Sequence, residues 1–111
     1  MHIHVTPENL LIQLGYPVND ATLAQMERTL AATKNFDAFS DHIFSLKDEI
    51  ARYNGYIALS NSRDILKIKS DATHPEEIEA YREALAKWSD KYKVTLEQVK
   101  ASNTFYILGR L

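Results

Sequence analysis

The chain has 111 residues, 45% of them apolar and 25% charged, with a formal charge of −2 and no cysteine. That length predicts one domain over residues 1–111 around a single hydrophobic core, and the lack of cysteine excludes disulfides, thiolate catalysis, iron–sulfur clusters and cysteine zinc sites. A slight acidic excess argues against general attraction to nucleic acid or anionic lipid. With no apolar run near the roughly 20 residues of a membrane span and no secretory leader, the expectation is a cytoplasmic protein with no membrane partner.

In the opening MHIHVTP, Met1, Ile3 and Val5 alternate with His2 and His4, the period of a half-buried strand. Thr6 then offers an N-cap and Pro7 the first helical position. TPENLLIQL therefore predicts a short helix with Leu10, Leu11 and Leu14 inward, stopped by Gly15 and Pro17. Asp20 caps a second helix whose Leu23, Met26 and Leu30 form one apolar stripe. Phe39, Ile43, Leu46, Ile50 and Tyr53 recur at helical spacing and predict a third, ended by the left-handed signal of Asn54 and Gly55.

The period then changes. YIALS and DILKIKS read as strands, and the polar SNSR between them as a hairpin turn. HPEEIEAYREALAKWSDKYK is a helix opened by Pro75, with Ile78, Tyr81, Leu85, Trp88 and Tyr92 on one face. Its glutamates lie at the positive end of the helix dipole and its lysines at the negative end. VTLEQV carries a capping box from Thr95 to Gln98, with Val94 and Val99 spaced for a hydrophobic staple, and predicts a fifth helix to about Ser102. TFYILG is the last strand. The order β-ααα-ββ-αα-β predicts an α+β fold: a three- or four-stranded, mainly antiparallel sheet with one face covered by about five helices.

Strand parity divides the sheet. Ile57, Leu59, Leu66, Ile68, Phe105 and Ile107 fall on one face, joined by Ile3 and Val5 if the first segment belongs, and predict the core side. Tyr56, Ala58, Lys67, Lys69, Tyr106 and Leu108 fall on the other, with His2 and His4 under the same condition. This open face is the candidate binding surface: Tyr56 and Tyr106 suit planar groups, and Lys67 and Lys69 suit an anion. The plainer reading is a solvated face, since tyrosine favours strands and lysine discourages edge pairing.

Catalytic chemistry is not assembled in the sequence. His2 and His4 are spaced some 6 to 7 Å apart on a strand, a separation open to zinc. A third ligand would have to come from His42, His74 or a carboxylate, so the expectation is two exposed imidazoles, no metal and no cofactor. His42 lies on the flank of the third helix's stripe, and His74 leads into the fourth helix. The carboxylate runs Asp48-Glu49 and EEIE are those of solvated helices. Ser60 and Ser62 lack a nucleophile elbow, and Gly15, Gly55 and Gly109 are too far apart for a phosphate loop.

Two helical modules are echoed near the N-terminus. LLIQLGYPVNDATLAQMERTL looks like a helix-turn-helix with Gly15 in the turn, an arrangement that would offer Gln25 and Arg28 to DNA; its turn is too long for the compact form. LGYP at Leu14 to Pro17, LAATKN at Leu30 to Asn35 and the helix that follows resemble ubiquitin-associated three-helix domains over the first 50 residues. That resemblance implies a recognition loop of Leu14, Gly15 and Tyr16, but the second helix is about a turn too long. We rank both below helices that simply cover a sheet. The function expected is a non-enzymatic module acting through a protein partner or self-association. The alternatives are a weak single-stranded nucleic-acid binder through the tyrosine and lysine face, and a small enzyme or metal protein using His2 and His4.

Overall fold

The computed structural model describes residues 5–110, and among these the first helix begins at the first capping signal. Thr6 Oγ1 accepts the Asn9 N–H at 3.2 Å, while Asn9 Oδ1 accepts the Thr6 N–H at 3.0 Å. This reciprocal cap starts α1, Pro7–Leu14. Helix α2, Asp20–Ala32, is capped one residue earlier than expected: Asn19 exchanges the same pair of bonds with Thr22, and Asp20 is the first helical residue. The third helix is shorter than its stripe implies. Phe36–Ala38 and Ser40–His42 are 3-10 turns, and α3 runs over Ile43–Ala51. Phe39, read as the helix's first apolar position, is buried from the junction of those turns.

Asn54, left-handed at φ 56°, reverses the chain into β1, Gly55–Leu59. A Cβ on Gly55 would stand 2.7 Å from Ile50 Cβ, so only glycine lets the strand leave this close to α3. Strand β2, Leu66–Ser70, pairs antiparallel with β1 from Gly55↔Ser70 to Leu59↔Leu66. Helix α4, Pro75–Tyr92, follows and ends at left-handed Lys93.

The predicted fifth helix is absent. Thr95–Gln98 is instead a strand, β3, paired antiparallel with β4, Phe105–Gly109. A capping box marks a helix start only if the following backbone has no better partner, and here TFYILG lies one turn away. The turn is closed by Val99 N–H to Thr104 O at 2.8 Å and Ser102 N–H to Val99 O at 3.2 Å. The β-branched Val94, Thr95 and Val99 favour this outcome. Among the described residues the architecture is thus α+β, with four α-helices and a four-stranded antiparallel sheet ordered β1-β2-β4-β3. The expected first strand lies, apart from Val5, outside the described residues.

Strand β4 is central and ends under tight constraint. Lys34 donates to Leu108 O at 3.3 Å and accepts the Arg110 N–H at 2.8 Å. Gly109 has φ 121°, and a Cβ there would overlap the Lys34 backbone.

Burial follows the predicted parity. Ile57, Leu59, Leu66, Ile68 and Ile107 are buried, and Phe105 is partly buried against the same cluster. Helices α1, α3 and α4 bring Leu10, Leu11, Leu46, Ile50, Tyr81 and Leu85 to this side. Each fully buried aliphatic side chain adds roughly 1.5–3 kcal/mol. Trp88 meets Phe39 edge-on at 6.2 Å and donates its Nε1–H to His42 O at 3.0 Å, tying α4 to the start of α3.

Candidate functional site

Cross-strand register assembles the opposite face. Tyr56 pairs with Lys69 and Ala58 with Lys67, while Lys67 pairs with Tyr106, and Tyr106 with Glu97. Directly paired residues carry their Cβ atoms about 4.5–5.5 Å apart on one side of the sheet, so Tyr56, Lys67, Lys69 and Tyr106 form one contiguous surface. Tyr56, Ala58, Tyr106 and Leu108 neither belong to the core cluster nor pack against it. Tyr56 is 37% exposed, while both lysines and Tyr106 are partly buried. His2 and His4, assigned to the same face from the sequence, lie outside the described residues.

Two side chains that sequence parity did not place complete this surface. Arg63 lies in the hairpin turn between β1 and β2 and sets its guanidinium 5.1 Å from the centre of the Tyr106 ring. The same group reaches Glu97 Oε1 at 3.9 Å. Arg63, Tyr106 and Glu97 therefore satisfy one another across three segments of chain. Lys67 and Lys69 do not share in this. Among the described residues neither has an ion-pair or hydrogen-bond partner, whereas Arg28, Arg52, Arg63 and Lys93 each face a carboxylate.

Other candidates resolve into structure. The Tyr16 hydroxyl accepts the Leu59 N–H at 2.9 Å and so occupies a backbone donor of β1, the outer strand. Its place in a recognition loop is thereby replaced by a packing role. Gln25 Nε2–H donates to Ser60 O at 3.0 Å and Arg28 Nε meets Asp64 Oδ1 at 3.4 Å. The α2 side chains that a helix-turn-helix would present to DNA instead hold the β1–β2 hairpin. His42 closes a 3-10 turn and is the N-cap residue of α3 instead of lying beside the stripe within that helix, and its ring stacks on Tyr92 with centroids 3.7 Å apart. His74 is the N-cap of α4 but makes no side-chain capping bond.

Among the described residues, acid–base chemistry finds no convergent groups. Burial pushes the Tyr81 phenol above its ordinary range, and it donates to Asn103 O at 2.7 Å, joining α4 to the residues before β4. A cleft of about 710 Å³ between the start of α1 and the end of α2 carries Asp37 as the ionisable group among its described lining residues. A second, of about 420 Å³, is the polar hollow where Gln25 and Arg28 meet the hairpin. Among the described residues no group of three histidine, aspartate or glutamate side chains is placed to hold a metal, and no helix is long and apolar enough to cross a membrane. Comparison with protein-family models, curated proteins and solved structures finds no match to this chain.

Proposed function

We propose that this protein is a non-enzymatic binding module that engages a protein partner across the open face of its sheet. One observation carries the reading: Tyr56, Lys67, Lys69 and Tyr106 share a face whose residues take no part in the core, while among the described residues both lysines are left without a partner. Aromatic rings flanking unpaired cations supply contact area and orientation at an interface. The single-stranded nucleic-acid reading draws on the same residues, but it is weakened by Arg63, which covers one side of the Tyr106 ring, and by Glu97 in the same cross-strand row.

The test is co-purification from cells at native expression level, comparing the unaltered chain with a Lys67→Glu, Lys69→Glu variant that retains its fold by circular dichroism. A protein held by the first and lost from the second is the expected result. Equal retention by both sinks the assignment to this face, and retention that nuclease abolishes moves it to nucleic acid.

A further inference from the structure

We infer that the segment bound by this face is acidic and extended, with two carboxylates separated by one residue, held by Lys67 and Lys69. This deepens the proposed function and rests on it. The chain as a whole is negative, at −2, yet among the described residues the open face gathers Arg63, Lys67 and Lys69 against one carboxylate, Glu97. Glu97 is already committed to Arg63 at 3.9 Å. The uncompensated charge is therefore that of the two lysines.

Both lysines are partly buried, their stems lying along the sheet with the ammonium groups available to an incoming anion. Their positions set the geometry. Alternate residues on one strand project from the same face some 6 to 7 Å apart, and an extended peptide repeats its own alternate side chains at that interval. Tyr56 stands opposite Lys69 and Tyr106 opposite Lys67, so each lysine has an aromatic residue as its cross-strand partner. A phosphodiester strand shares the charge, but it draws further affinity from stacking on open rings. Here Tyr106 is occupied by Arg63 at 5.1 Å, which leaves one face of that ring closed to a base.

The experiment follows amide shifts of the isotope-labelled protein titrated with three probes: a short Glu-Ala-Glu peptide, the same peptide with glutamines, and an oligothymidylate of matched length. The Glu peptide is expected to shift the amides of Tyr56, Lys67, Lys69 and Tyr106. Its affinity should exceed that of the glutamine peptide by roughly tenfold, fall with added salt, and be lost in the Lys67→Gln, Lys69→Gln variant. Equal binding of the two peptides overturns the acidic specificity and leaves the protein-binding reading standing. Tighter binding of the oligothymidylate overturns both. If no probe moves the open face, the acidic segment is refuted, while co-purification still decides the broader reading on its own.

Discussion

Leu66, Lys67, Ile68 and Lys69 are consecutive in β2, yet they belong to two different environments. Leu66 and Ile68 are sealed at 0% exposure beneath the helices, while the lysines between and after them reach the far side and meet no counter-charge among the described residues. One face of the sheet is closed by packing and the other is left chemically incomplete. The strand period thus buries one set of residues and leaves the other outside the core, so the two can be perturbed separately.

The largest effect belongs to the closed face. Ile68→Ala is expected to lower unfolding stability by about 2–5 kcal/mol, measured by urea denaturation, because the cavity opens in the centre of the sheet. Next comes a site where backbone rather than side chain decides. Gly109→Ala combines an unfavourable positive φ with loss of the Lys34 bridge and is expected to cost about 3 kcal/mol in the same assay. A drop below about 1 kcal/mol would mean that Lys34 readily parts from β4.

Tyr81→Phe removes the hydrogen bond to Asn103 and is expected to cost about 1 kcal/mol at neutral pH. Its pH signature is more specific. Burial raises the folded-state proton affinity of Tyr81 above its unfolded value near pH 10. The folded state therefore holds a proton that the unfolded state releases. The stability this proton contributes is complete below about pH 10 and is lost as pH rises above it. Urea midpoints from pH 8 to 11 should fall more steeply for the unaltered chain than for Tyr81→Phe, and parallel curves would place the phenol in water. The smallest effect is on the open face: the Lys67→Gln, Lys69→Gln variant should stay within about 0.5 kcal/mol of the unaltered chain. A larger loss would show that those lysines serve the fold, and the comparison of the two faces would collapse.

Local signals were readable where their partners were local. Thr6, Pro7 and Gly15 bracket α1 because capping depends on residues three or four positions apart, and the alternation through Leu66 to Lys69 declared both faces of β2. Thr95 to Gln98 misled for the same reason: a motif sufficient for a helix start was overruled by pairing with β4, whose benefit spans a turn. Arg63 over Tyr106 was invisible, because it read as part of a polar turn and its two partners lie on separate strands. Tyr16 was equally opaque, since it reaches 43 positions along the chain to Leu59. The open face was legible as a set of residues. Which of its cations are already satisfied was not, because that depends on how the hairpin tip folds back.

The central position of β4 has a consequence for synthesis. A chain emerging from its N-terminal end forms β1 and β2 well before residues 105–109 arrive to fill the slot between β2 and β3. During that interval the inner border of β2 is a bare row of backbone donors and acceptors beside Leu66 and Ile68, a template for any neighbouring nascent chain. Lys67 and Lys69 sit on that same short strand, and their mutual repulsion between copies acts as a gatekeeper until β4 docks.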